Sequence, residues 1–294
     1  NTGISIGLAS GNTTIKINCG TGDNLNGTNS VAIGNQAGSN TQSTNCIAIG
    51  VNAGYNGQTN KGIAIGDRAG YSNQVGIAIG EQAGYSNQVG IAIGTLAGRF
   101  NQGGIGIGYA AGYNTQADSI AIGNFAGYAS QQYRGIAIGN NAGNTNQGSE
   151  SVAIGSDAGN SNQTSQAIAI GTNAGYTSQG SNSIAFGIQS GQINQGNDAV
   201  AIGARAGNNN QGQNGVAIGS GASNYLQGIG AVSIGTDAGR TNQGTNSIAI
   251  GINSGYTGQG PSSVSIGQNA GYFTSGSNSV SIGAYAGYTG ATQY

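Results

Sequence analysis

The chain has 294 residues, of which 60 are glycine and one is proline, and it contains no histidine, methionine or tryptophan. Its seven basic and eight acidic residues are scattered and leave a net charge of −1, so the sequence predicts no surface for nucleic acid or for an anionic membrane. Without histidine, and with two cysteines, a nucleophile, a base and an orienting group cannot be assembled. We therefore expect no enzyme, no cofactor and no metal site, and no apolar run reaches the length of a membrane span.

A short motif, typified by Ser30-Val31-Ala32-Ile33-Gly34, recurs nineteen times and organises the chain. After one shorter first interval, successive copies are spaced by roughly one repeat length, which predicts one structural unit stacked on copies of itself. The copies begin at Ile4, Ile15, Val31, Ile47, Ile63, Ile77, Ile91, Ile105, Ile120, Ile136, Val152, Ile168, Ile184, Val200, Val216, Val232, Ile248, Val264 and Val280.

The chain divides into an irregular start, residues 1–29, and a regular repeat region, residues 30–294. In the first part the copies at Ile4 and Ile15 are closer together than any later pair, and Lys16 and Asn18 break the pattern, as is common in capping repeats. In the second part the copies between Ile63 and Ile105 are spaced slightly more closely than the rest, which predicts a shorter loop there, and the period becomes constant from Ile120 onward.

Each copy reads as a strand, a glycine corner, a second short segment and a polar loop. Alternation of β-branched residues with a small residue has the period of a strand and is too short for a helix. Stacking would pair every strand with its copies in parallel, giving an all-β parallel β-solenoid (β-roll) of about 19 turns. At a rise of about 4.8 Å per turn the predicted rod is roughly 85 Å long.

The small residue between the two aliphatic residues forms a column that suggests an interface. It points opposite to its two neighbours in a strand, and it is alanine, serine or glycine in all copies but one. We therefore predict that the aliphatic pair fills the coil and that the small face packs against another coil. The alternative is that the small residues pack inside a flattened single coil. The predicted interface residues are Ala32, Ala48, Ala64, Ala78, Ala92, Ala121, Ala137 and Ala153.

Glutamine occupies one loop position in fifteen consecutive copies, from Gln42 to Gln259. Amides one turn apart can donate to and accept from each other, so the column predicts a hydrogen-bonded ladder; the alternative is a merely soluble loop residue. The predicted ladder includes Gln74, Gln88, Gln102, Gln116, Gln131, Gln147 and Gln163.

Tyrosine follows the second glycine of the motif in nine copies. An exposed aromatic stripe is a candidate surface for glycan or for another cell surface, whereas the alternative is that each ring packs on its own loop. The candidate binding residues are Tyr55, Tyr71, Tyr85, Tyr113 and Tyr128.

The two cysteines lie at different places in the repeat and two turns apart. Cys19 and Cys46 would be separated by at least about 9 Å along the stack, beyond the usual Cα–Cα limit for a disulfide. Buried or free thiols are the favoured prediction, and a bridge between chains is the alternative.

The motifs Asn29-Ser30-Val31-Ala32-Ile33-Gly34 and Asn182-Ser183-Ile184-Ala185-Phe186-Gly187 resemble the repeat of trimeric autotransporter adhesin heads. The Ala-Ile-Gly-x-x-Ala-Gly-Tyr units are also similar to repeats in phage and other viral tail fibres. The resemblance covers essentially the whole chain. It implies a left-handed parallel β-roll, three chains side by side, and a fibre or adhesin role.

Two functions follow as expectations. The first is a structural subunit of an extracellular fibre or filament, on a cell or virion surface, that associates with copies of itself and stacks end to end through the regular last copy, Val280–Gly287. The alternative to end-to-end stacking is that the chain is a fragment of a longer rod. The second is an adhesin head that binds glycans or matrix. The chain begins at Asn1 without methionine, which suggests a processed product.

Overall fold

The computed structural model describes residues 4–9, 12–17, 24–59, 61–116 and 118–289. The described residues contain strands, turns and bends but no helix, and hence no helix able to cross a membrane. The chain forms two compact units, Asn1–Asn141 and Ala142–Tyr294. Each is a parallel β-solenoid with one copy of the motif in each turn, which confirms the predicted fold class.

The first unit contains fourteen described strands, most of them three residues long. They are β1 (Ile4–Ala9), β2 (Asn12–Ile17), β3 (Asn24–Asn26), β4 (Val31–Ile33), β5 (Asn40–Gln42), β6 (Ile47–Ile49), β7 (Ile63–Ile65), β8 (Ile77–Ile79), β9 (Ile91–Ile93), β10 (Phe100–Gln102), β11 (Ile105–Ile107), β12 (Asn114–Gln116), β13 (Ile120–Ile122) and β14 (Ile136–Ile138).

The second unit contains fifteen described strands. They are β15 (Val152–Ile154), β16 (Ser161–Gln163), β17 (Ile168–Ile170), β18 (Thr177–Gln179), β19 (Ile184–Phe186), β20 (Ile193–Gln195), β21 (Val200–Ile202), β22 (Asn209–Gln211), β23 (Val216–Ile218), β24 (Tyr225–Gln227), β25 (Val232–Ile234), β26 (Thr241–Gln243), β27 (Ile248–Ile250), β28 (Val264–Ile266) and β29 (Val280–Ile282).

The motif strands stack in register, equivalent residue on equivalent residue. In the first unit nine described motif strands pair in parallel, in the order β2, β4, β6, β7, β8, β9, β11, β13 and β14. Nine more, from β15 to β29, do so in the second unit. The strands that end on glutamine form a second parallel ladder, six strands long from β16 to β26.

The first copy of the motif is not a turn of the solenoid. Strand β1 pairs antiparallel with β2, with Ile4 opposite Ile17 and Ala9 opposite Asn12. The interval between these two copies is shorter than any turn of the solenoid, so the chain reverses in a hairpin instead. The first copy of the motif therefore adds no parallel turn to the solenoid.

The prediction about the two faces of the motif strand is wrong. The alanines Ala32, Ala48, Ala64, Ala78, Ala92, Ala121, Ala137 and Ala153 are fully buried inside the coil of a single chain, so they are not free to pack against another coil. The aliphatic residues on either side of them point outward. The alternative weighed from the sequence, small residues packed within a flattened coil, is the observed arrangement.

The coil interior is narrow because its two walls lie close together. A second alanine from the corner, such as Ala53 or Ala174, and the extended glutamine side chain fill the remaining space. A strand pattern of period 2 separates two faces but does not say which one is inside, and this interior has no room for isoleucine.

The corners require backbone conformations that L-residues seldom adopt. In the turn that starts at Ile168, Asn173, Ser178 and Asn182 have φ values of 55°, 56° and 57°. Asparagine tolerates this left-handed region better than most residues, because its short polar side chain bonds locally. The abundance of asparagine in the loops follows from this backbone geometry.

Candidate functional surfaces

The most extensive candidate surface is the outer side of the motif strands. We call it the aliphatic face: the first and third residues of every motif strand from Val31 to Ile282, all isoleucine or valine except Phe186. Most of these side chains are half-buried, and the third residue is 36 to 38% exposed in the following turns: Ile93, Ile107, Ile122, Ile154, Ile202 and Ile234. Phe186 is 52% exposed.

Neighbouring residues widen this surface. The residue after the corner glycine is also apolar and exposed at Val51, Ile188 and Ile252. In each unit at least sixteen aligned aliphatic side chains form an uncharged patch on the order of 10³ Å², whereas the largest apolar patch of a typical monomer is about 300–600 Å². Patches of this size are typical of interaction surfaces.

The glutamine column lies inside the coil, and its main hydrogen bonds cross the coil. Gln179 is fully buried, and its Nε2 donates to the carbonyl oxygen of Ile168, 2.8 Å away, on the opposite wall. The same bond joins Gln58 to Ile47 and Gln211 to Val200, both at 2.8 Å. Hydrogen bonds from these amides therefore connect the two walls of the turn, where most protein cores have apolar contacts.

The predicted ladder along the stack is present at some steps. Nε2 donates to Oε1 of the next glutamine in the following pairs: Gln42 to Gln58, Gln163 to Gln179, Gln195 to Gln211 and Gln243 to Gln259. Gln74, Gln88 and Gln131 donate instead to backbone carbonyls, as in the 3.1 Å bond from Gln131 to Ile120. Gln147 donates to Ser151, and the side chains of Gln102 and Gln116 fall outside the described residues.

The tyrosine column forms stacks of rings. Tyr55, Tyr71 and Tyr85 lie with ring centroids 5.0 and 4.9 Å apart and nearly parallel, and Tyr113 stacks on Tyr128 at 5.0 Å. In the second unit Tyr272 lies between Tyr256 and Tyr288. Desolvation, followed by the charges of those two neighbours, raises the pKa of Tyr272. Because stacked rings cover each other's faces, within a stack only ring edges and hydroxyl groups face outward.

Arg99 interrupts the tyrosine column between Tyr85 and Tyr113. Its guanidinium carbon lies 5.6 Å from the centroid of each of these rings and 4.9 Å from that of Phe100. Nη1 donates a 2.6 Å hydrogen bond to the hydroxyl of Tyr113. The cation is thus held in the slot that a tyrosine ring fills in other turns.

Asparagine side chains form short exposed ladders at one of the left-handed positions. Asn73 donates to Asn87 at 3.0 Å, and Asn87 donates to Asn101 at 2.9 Å. Asn194 and Asn210 repeat the contact in the second unit. These ladders were not predicted, although recurring asparagine immediately before the glutamine column was the available signal.

Cys46 is a buried free thiol, in agreement with the favoured prediction, and Cys19 lies outside the described residues. The Sγ of Cys46 donates to the carbonyl oxygen of Thr59 at 3.0 Å. Burial raises the pKa of the thiol, against hydrogen bonding from the backbone at Gly62, Lys61 and Ser43, which lowers it. The thiol therefore stays protonated near neutral pH.

Acidic side chains do not cluster in the described part of the chain. No group of three or more aspartate, glutamate, cysteine or histidine residues there is placed to hold a metal ion. Asp67 pairs with Arg68 at 3.4 Å on the surface.

Comparison of this chain with protein-family models, with curated proteins and with solved structures finds no match.

Proposed function

We propose that the chain is a structural subunit of an extracellular fibre or filament, which associates with copies of itself through the aliphatic face. The single observation that carries the proposal is the outward row of isoleucine and valine, interrupted only by Phe186, on the motif strands from Val31 to Ile282. Apolar area of this extent favours burial, because its transfer from water is the main driving force for association.

A second copy of this chain is the partner that best fits the surface. A stable interface buries about 800 Å² on each partner, and the aliphatic face of either unit is of that size. The face carries no charge that would need a complementary partner, and its side chains repeat at the spacing of the turns, so an identical face offers matching ridges and grooves. Three coils around a common axis, each turning its aliphatic face inward, is the arrangement that we propose.

The rest of the described surface supports the same function. It is made largely of uncharged asparagine, serine, threonine and glycine, with few charged residues. Such a surface offers little specific recognition and little dependence on ionic strength, as suits an inert shaft.

The proposal is tested by the mass and shape of the purified protein. We expect light scattering to give a multiple of the 28.6 kDa chain mass, unchanged between low and high sodium chloride, and electron microscopy to show elongated particles. Immunolabelling of intact cells or virions would place the particles outside. A mass of one chain at every concentration tested would contradict the proposal.

The second function, a glycan-binding adhesin head, gains no support from the tyrosine column itself, because stacking covers the ring faces. One interruption of that column, at Arg99, provides a more specific reason to consider glycan binding.

A further inference from the structure

We propose that Arg99, with the rings around it, binds the carboxylate of an acidic saccharide of the uronic acid class. This inference is independent of self-association through the aliphatic face and stands or falls separately.

The guanidinium of Arg99 lies in an aromatic environment. Arg99 is half-buried between the rings of Tyr85 and Tyr113, with Phe100 beside it. Its Nε is buried and has no hydrogen-bond partner, so the inner edge of the guanidinium is closed. The terminal amino groups are the edge that remains available, and one of them already holds the Tyr113 hydroxyl.

The positive charge of Arg99 lacks a counter-ion. No carboxylate pairs with Arg99 in the part of the chain that the structure describes. A guanidinium held by rings and by one hydroxyl is oriented, and its planar fork matches a carboxylate in a two-bond arrangement. Lys61 and Arg205 also project from the coil, but they are exposed and no ring encloses them.

Another turn of the chain carries an equivalent arginine that does have a counter-ion. Arg240 stands at the same position of its turn as Arg99, and its Nη1 donates to Tyr256 at 2.6 Å, as Arg99 does to Tyr113. Arg240, however, has its own counter-ion, because Asp237 lies 3.7 Å away, three residues earlier. The residue three before Arg99 is Leu96. The chain therefore supplies the anion in one turn and leaves its place apolar in the other.

The surroundings favour a sugar acid over an acidic peptide. Aromatic edges and a phenolic hydroxyl border the guanidinium, and exposed carboxamides at Asn87 and Asn101 follow in the same two turns. Hydroxyl and amide groups bond readily to the hydroxyls of a saccharide, while the ring edges and Leu96 can contact its C–H groups. A carboxylate attached directly to a pyranose ring would satisfy both parts of this surface.

The test is ligand-observed NMR and calorimetry on the full chain with glucuronate as the probe and glucose as its uncharged counterpart. We expect the native protein to bind glucuronate and to bind glucose at least tenfold more weakly. Arg99→Gln should reduce glucuronate binding tenfold or more, since it removes a charge-assisted contact.

Two variants that keep Arg99 make the result decisive. Leu96→Asp places a carboxylate where Asp237 stands beside Arg240, and it should abolish binding. Leu96→Asn has the same shape without the charge, and it should retain binding. Both suit the left-handed backbone of Leu96, whose φ is 61°, so neither is expected to disturb the fold.

Three outcomes would overturn the assignment. One is the absence of glucuronate binding to the native protein, and another is equal binding by the native protein and the Leu96→Asp variant. The third is equal affinity for glucuronate and for a short acidic peptide, which would show that the sugar ring is not recognised.

Discussion

At the scale of single residues, the buried glutamines fill and stabilise the interior of the coil, as large apolar side chains do in most protein cores. Gln179 holds the carbonyl oxygens of Ile168 and Ser183, and its own Oε1 accepts from Gln163. Each buried polar group that loses its partner costs about 1–3 kcal/mol. A narrow coil lined by alanine therefore depends on these amides for its stability.

Replacing Gln179 by leucine tests this dependence. We expect the free energy of unfolding to fall by about 2 kcal/mol, because the carbonyl oxygens of Ile168 and Ser183 and the amide of Gln163 each lose one hydrogen bond inside the coil. The control is Gln268→Leu, the same substitution at an exposed position where other turns carry Ile188 or Ile252, and it should change stability by less than about 0.5 kcal/mol. Equal unfolding midpoints for the two variants would show that the buried glutamines do not stabilise the coil.

Cys46 gives a second prediction at this scale. In a Cys19→Ser background we expect its protonated, buried thiol to react with a thiol reagent only as fast as the protein unfolds, even at pH 8. Cys46→Ser should be tolerated, because Ser30 and Ser119 occupy the same place in their turns, whereas Cys46→Leu should destabilise by about 1–3 kcal/mol through overpacking. Rapid labelling of the folded protein would contradict the buried placement.

The sequence predicted which columns matter but not always why. It identified the glutamine column and part of its ladder, yet not the bonds from Nε2 to the opposite wall, because spacing along a chain does not show which groups face each other across a coil. The slot at Arg99 was also missed. Its signal was a single arginine in a tyrosine column, which is meaningful only after the rings are seen to stack.

At the scale of elements, the corner glycine is a position where the stack of turns has no room for a side chain. Gly171 has φ 128°, and a Cβ there would lie 2.6 Å from the carbonyl oxygen of Gly187 in the next turn. Both the backbone conformation and the close approach of successive turns therefore require glycine.

The pair Gly171→Ala and Gly283→Ala separates these two requirements. Gly283 has a similar φ of 116°, but a Cβ there would meet nothing within 4 Å. We expect Gly283→Ala to cost about 1–3 kcal/mol of backbone strain and Gly171→Ala to cost clearly more, because the clash adds to the strain. Thermal unfolding measures both, and equal losses would show that stacking does not require glycine at the corner.

The motif strand shows where sequence reasoning about an element reaches its limit. Alternation fixed the strand, its parallel register and the separation of two faces. It did not fix the direction of the coil, because the usual assumption that the larger apolar residues lie inside fails when the walls are too close for them. The small-residue column, interpreted as an interface, is instead the interior packing that lets the walls approach.

At the scale of the whole molecule, this reversal moves the association surface from the alanine column to the aliphatic face. The proposed self-association would be driven by the burial, between chains, of isoleucine and valine that are exposed in one chain. It also makes the roles of Ala92 and of the outer isoleucines separable, because Ala92 is completely buried within its own coil.

The mass of matched variants by analytical ultracentrifugation tests this central claim most directly. Ile33→Glu with Ile122→Glu places two charges on the aliphatic face of the first unit, whereas Asn40→Glu with Asn114→Glu places them at exposed positions of the glutamine-ended strands β5 and β12, away from that face. We predict that the isoleucine variant sediments as a single folded chain with native strand content, that the asparagine variant keeps the native multiple of the chain mass, and that Ala92→Glu fails to fold. An isoleucine variant that keeps the full native mass, or a native protein that sediments as one chain, would contradict the account.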